Sequence, residues 1–153
     1  MKFMVGSEHA GVDYRIRLVN WLRDSGYSVT EVYENEHFSE YPEIAEEVAL
    51  SVIRKECDLG ILLCGTGIGM CMAAGKIPGT RVALCTDAYM GRMAKEHNNA
   101  NILAFGTRVI GFEGMLNIIE TFLAATYKGG RHELRLKKLA SLESKYLRTD
   151  RES

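Results

Sequence analysis

"LGILLCGTGIGM", Leu59 to Met70, sets an unbroken apolar run against a loop with glycines at positions 65, 67 and 69. A strand with one face in water alternates apolar and polar side chains. A run without alternation marks a strand covered on both faces, the habit of a parallel sheet packed between helices. Glycines directly after it allow a tight turn into a helix without side-chain obstruction. The thiol of Cys64 stands at the joint between strand and turn.

Outward from this strand, the apolar pattern switches repeatedly between strand-like runs and helical stripes. Upstream, "KFMVGS" and "YSVTEVY" read as strands. Between them Ile16, Val19 and Leu22 lie at helical spacing from Val12 to Ser25, stopped by Gly26. Tyr41-Pro42 opens a second helix, with proline at a tolerated first-turn position. Downstream come a short helix to Lys76, the strand "TRVALC", a helix from about Ala88 to Glu96, and the strand "NILAFG". A helix over Phe112 to Thr126 follows. Beyond Gly129-Gly130, a polar helix is expected from about His132 to Tyr146, and the last residues are expected to fray. Strands alternating with helices imply right-handed βαβ units. The expectation is a single α/β domain over residues 1–153: a three-layer αβα, Rossmann-like fold with a parallel sheet of about five strands and a C-terminal helix.

At 153 residues and a net charge of −1, the chain lacks the basic excess of a nucleic-acid or membrane-surface binder. No apolar run approaches the roughly 18 residues of a membrane span, and no signal core is visible, so a soluble, cytoplasmic protein is expected. Cys57, Cys64, Cys71 and Cys85 form no C-x-x-C pair and match no zinc spacing, so reduced thiols and no metal are expected.

In parallel sheets, ligands bind beyond the carboxyl ends of the strands. "GSEHAG", "CGTGIG", "CTDAY" and "FGTR" all fall at strand ends and should converge on one edge. The glycine loop is not a nucleotide fingerprint. Its spacing is G-x-G-x-G after the third strand, and "GMCMAAGKI" misses the phosphate-loop spacing by one residue. Backbone N–H groups at such a turn can still hold an anion or a developing oxyanion, and Thr66 adds a hydroxyl. Taken alone, the loop reads equally as a tight turn beside a buried thiol.

Taken together, "GSEHAG", "YPEIAEEVA", "GILLCGTGIGM", "EHNNANILAFGTR" and "GGRHELR" resemble the ribose-5-phosphate isomerase B and galactose-6-phosphate isomerase family. The resemblance runs from Gly6 to about Leu139. It implies a cofactor-free aldose–ketose isomerase that works through an enediolate. Cys64 matches the family's thiol base, with Thr66 beside it, and His97 matches the histidine that opens the sugar ring. Glu8, His9, Tyr41, Gly65, Gly67, Ile68, Gly69 and Asn98 match substrate-binding positions. Arg108, Arg131 and Arg135 match a phosphate clamp, the last two sharing one helical face. It further implies a homodimer or dimer of dimers with shared active sites, the C-terminal helix packing on a partner subunit.

The chemistry fits these roles. A free thiol is a few per cent ionised at neutral pH. A helix N-terminus contributes about 0.3–1 kcal/mol, less than one pKa unit. Catalysis would therefore rest on a minor thiolate fraction aided by oxyanion donors. Imidazole suits proton exchange with ring oxygens at neutral pH. Three positions depart from the family pattern: Glu8 replaces an aspartate, Gly75 an asparagine, and Glu40 an aspartate. The substrate's carbon number is therefore left open among tetrose, pentose and hexose phosphates. A sugar-phosphate-binding subunit without turnover is the alternative from another class.

Overall fold

The computed structural model describes residues 1–37 and 40–146. The fraying expected at the end of the chain lies outside the described residues. Five parallel strands, β1 (Lys2–Ser7), β2 (Ser28–Tyr33), β3 (Leu59–Cys64), β4 (Val82–Leu84) and β5 (Ile102–Gly106), form one sheet in the order β2-β1-β3-β5-β4. Among the described residues six α-helices surround it: α1 (Val12–Asp24), α2 (Tyr41–Ile53), α3 (Ile68–Ala74), α4 (Ala88–Glu96), α5 (Phe112–Ala124) and α6 (Arg131–Tyr146).

The strand alternation decides which helices lie on which face. Phe3, Val5, Ile61, Leu63, Leu103 and Phe105 point to the side covered by α1, α4 and α5. Met4, Leu62, Ile102 and Ala104 point to the side covered by α2 and α3. Every residue of β3 is buried, as its unbroken apolar run required. Each large side chain so buried contributes about 1.5–3 kcal/mol. The expected three-layer αβα architecture is therefore present.

The chain runs outward from β1 to β2, then crosses back over β1 to β3. That reversal opens a crevice at the carboxyl ends of β1 and β3, the usual ligand position in such sheets. β4 skips the β5 position and becomes an edge strand. It is shorter than "TRVALC" suggested, because the Arg81 N–H is taken by the Asn101 side chain at 2.7 Å rather than by a strand neighbour. α5 stops at Ala124 rather than Thr126, since Ala125 is already extended. A short 3-10 turn over His9–Gly11, not expected from the sequence, joins β1 to α1.

α6 adds almost nothing to the core; His132 is its one buried residue. It is tied down at both ends. The Glu143 carboxylate accepts from the Gly79 N–H, and Lys128, just upstream of α6, pairs with Glu96 at 2.6 Å. Between α6, α4 and the open edge of β4 lies a groove of about 660 Å³, lined by Val82, Leu84, Met90, Met93, Leu136 and Leu139 among others.

Candidate active site

The four strand-end motifs gather at the carboxyl pole of the sheet, as expected, while the motifs carrying His97 and the arginines of α6 do not. At the carboxyl pole, Cys64 closes β3 and is nearly buried, 7% exposed. Its Sγ accepts the Gly67 N–H at 3.0 Å. Gly67 takes φ +77 as the residue before α3, and a β-carbon there would stand 2.6 Å from Leu84 Cδ1, so only glycine fits. The loop therefore aims a backbone donor at the sulfur, while exposed Thr66 and Ile68 form its outer surface. The Thr66 hydroxyl accepts the Ile68 N–H at 3.3 Å.

Neighbouring strand ends complete this pole. Arg108 is held by its N–H to Gly65 O at 3.0 Å, and its guanidinium lies over Gly65. Thr107 donates from its N–H to Cys64 O at 2.9 Å and from its hydroxyl to Ala10 O at 2.8 Å. The Tyr41 ring sits on Gly69, where a β-carbon would meet it at 2.9 Å. Glu8, 9% exposed, accepts the Ala10 N–H and pairs with His9 at 2.6 Å. Glu34, which the motifs do not mark, reaches the same imidazole at 3.3 Å. Its only sequence signal was a polar position directly after β2. Glu8, His9 and Glu34 form the one group among the described residues whose donors converge closely enough for a cation, within 4.8 Å. Those atoms are already engaged with one another and with the His9 and Ala10 N–H groups.

Among the thiols, Cys64 is the one that closes a strand and meets the N–H of the glycine turn. Burial, then the carboxylates of Asp58 and Glu56, push Cys57 up to about 11. Burial, then Asp87 and Cys71, push Cys85 up to about 11, and burial raises Cys71. These three thiols are held toward the protonated form. "CTDAY" lies at the same end of the sheet but two strand positions from β3, and Asp87 is used to cap α4 at Met90.

His97, Asn98, Arg131 and Arg135 are not there. α4 runs back against the strands, so its C-cap His97 falls at the amino pole, where Asn101 O accepts from Gly60 at the start of β3. With about 3.3 Å of rise per strand residue, β3 puts the poles roughly 16–20 Å apart. At this second pole the His97 and His132 rings stack at 4.1 Å with 13° between planes. Arg131 and Arg135 are exposed on the first turns of α6, and Asn98 lines the apolar groove. His132 was not singled out from the sequence, although "GGRHELR" places it between the two arginines.

The profile of the family described as Ribose/Galactose Isomerase matches residues 3–139. The chain is 37% identical to ribose-5-phosphate isomerase B of Escherichia coli over 146 residues, 94% of this chain and 97% of that one. It is 36% identical to D-erythrulose-4-phosphate isomerase of Pectobacterium atrosepticum, covering 94% and 95%. The solved structure of ribose-5-phosphate isomerase B from Clostridium thermocellum superposes with a TM-score of 0.90 at 43% identity, covering 95% and 99%.

Proposed function

The chain belongs to the Ribose/Galactose Isomerase family, and on that premise we propose that it interconverts ribose 5-phosphate and ribulose 5-phosphate, without metal or cofactor, in sites shared by two copies of the chain. The reaction class is aldose–ketose isomerisation of a sugar phosphate.

His97 opens the sugar. It gives a proton to the ring oxygen as the bond from that oxygen to carbon 1 breaks, and the anomeric hydroxyl loses its proton, leaving a free aldehyde. The Cys64 thiolate then takes the proton from carbon 2. Electrons move onto the carbonyl oxygen, where Thr66 and the loop N–H groups stabilise the enediolate. Returning the proton to carbon 1, with transfer of the hydroxyl proton from oxygen 2 to oxygen 1, gives the ketose. Arg131 and Arg135 hold the phosphate, with Arg108 beside the loop. Glu8, His9, Tyr41 and Asn98 contact the sugar hydroxyls.

One observation carries this reading: the Cys64 sulfur accepts a backbone N–H at 3.0 Å in the switch-point crevice. Sharing between copies is supported by the split of the functional groups across opposite poles. A second copy seated on the groove beside β4 and α6 would cover exposed Leu139 and Leu142. Two such pairs can form a dimer of dimers. Four unpaired cysteines accord with a reducing, cytoplasmic setting.

Turnover of four-, five- and six-carbon aldose phosphates, compared side by side, tests the proposal. The highest kcat/KM is expected for ribose 5-phosphate. A second reading, a four-carbon substrate, is favoured by the near-equal identity to the D-erythrulose-4-phosphate isomerase and by the longer acid at Glu8. A tetrose phosphate preferred over ribose 5-phosphate would establish that second reading, and no turnover of any sugar would remove both.

A further inference from the structure

The ring-opening histidine does not stand alone. His97 caps the C-terminus of α4, a position that by itself leaves an imidazole free to choose among rotamers. Here its ring lies flat against that of His132, 4.1 Å between centroids and 13° from parallel. His132 is buried, 6% exposed, although α6 is otherwise polar and solvent-facing.

The backbone is arranged to keep the two rings together. The Lys128 N–H donates to Glu96 O at 3.0 Å, and the Lys128 ammonium pairs with the Glu96 carboxylate. Gly129 and Gly130 both take positive φ, turning the chain so that α6 begins directly over the end of α4. The His132 N–H closes this turn on Gly129 O at 3.0 Å.

We propose that His132 is a positioning residue for His97, its buried ring forming the platform that holds the His97 imidazole in the orientation needed to meet a sugar ring oxygen. This rests on the reading of His97 as the ring opener. Two stacked imidazolium ions would repel, so one member must stay neutral. Burial lowers the proton affinity of His132, and the neighbouring His97, Arg131, Arg135 and Lys128 act in the same direction. Of the other charged groups on these two helices, Arg92 and Glu96 of α4 pair with each other, and Glu133 of α6 is engaged by the Tyr127 hydroxyl. Glu96 is itself held by Lys128 and Arg92, so this carboxylate is already paired. His132 is the neutral platform against which the His97 ring lies.

Two replacements separate platform from volume. His132→Leu fills the space without a flat ring, and His132→Phe keeps the flat ring without a titrating group. In the assembled enzyme, His132→Leu should lower kcat for ribose 5-phosphate by roughly 10- to 100-fold, the penalty of a misplaced catalytic group. Exchange of carbon-1 hydrogen of ribulose 5-phosphate with deuterated water needs no ring opening. It should change by less than about threefold, because Cys64 and its donors are untouched. His132→Phe should restore kcat to near the native value.

Native kcat in His132→Leu overturns the proposal. So do parallel losses of conversion and exchange that phenylalanine does not rescue. If the leucine variant fails to assemble, the phenylalanine variant decides, and lost conversion with unchanged melting overturns the proposal. A readout independent of activity is the ring-current shift of the His97 imidazole proton by NMR, present in the native protein and in His132→Phe and absent in His132→Leu. If the native enzyme converts no sugar phosphate, the functional reading fails on its own while the NMR result still judges the stack.

Discussion

The two poles of the sheet are built by different means. At the carboxyl pole the functional atoms are fixed by the backbone: Gly67 N–H on sulfur, Thr107 N–H on Cys64 O, Arg108 N–H on Gly65 O, Glu8 N–H on Leu63 O. At the amino pole they are side chains at helix ends, held by a ring stack and ion pairs. Holding a thiol and its loop at one fixed place needs contacts that do not reorganise, and backbone hydrogen bonds around the left-handed Gly67 turn meet that need. Grasping a phosphate needs long cationic side chains that can close on it from solvent. The first kind of half-site follows from the topology of one chain; the second is complete only when something is brought to it.

The largest effect expected from this division comes from breaking both halves. Cys64→Ala should lower turnover by at least about 10³-fold, since Cys57, Cys71 and Cys85 are all shifted toward the protonated form and make poor substitutes as base. Removing one buried sulfur should cost only about 1 kcal/mol of stability. His97→Asn should also be impaired. Mixed and reassociated, the two variants should recover roughly a quarter of native activity, because random pairing gives half hetero-pairs with one intact site each. No recovery on mixing would place both groups in the same chain's site and end the split-site account.

Smaller losses should follow from the phosphate end. Arg131→Ala and Arg135→Ala should each raise KM by roughly tenfold, about 1.4 kcal/mol, with little change in kcat. The loss should shrink as salt rises, because exposed cations are screened. Lysine should restore only part of the affinity, lacking the two-pronged contact of a guanidinium. A fall in kcat at constant KM would instead move these arginines to the reacting carbons.

Much of the carboxyl pole was legible in the sequence because it is local. The unbroken run of β3, the glycines behind it and the short motifs at each strand end identify the turn and its thiol without knowledge of the partners. The place of β4 at the edge was not legible, since strand order depends on long-range packing rather than on any periodicity. The amino pole was legible only as motifs. "EHNNAN" and "GGRHELR" carry His97 and the arginines, yet nothing in their spacing says that the end of α4 and the start of α6 meet at the far end of the sheet. His132 was missed for the same reason: its burial against His97 comes from the Lys128–Glu96 clamp and the two left-handed glycines, a tertiary arrangement.

The finest test of the backbone-built pole is Glu8→Asp, which restores the shorter acid of the family pattern. Glu8 uses one oxygen to cap the Ala10 N–H at 3.0 Å and the other to hold His9 at 2.6 Å. Aspartate caps as well as glutamate, so the fold should lose no more than about 0.5–1 kcal/mol. Retracting the carboxylate by about 1.5 Å, one carbon–carbon bond, should weaken its grip on His9 and change the sugar hydroxyl within reach. The ratio of kcat/KM for four-carbon against five-carbon aldose phosphates should move by about three- to tenfold, the scale that one methylene commands in a binding site. An unchanged ratio would mean that Glu8 serves the turn alone. Substrate length would then have to be read by the other pole, where the proposed contacts of Asn98, Arg131 and Arg135 would set the distance between the opened sugar and its phosphate.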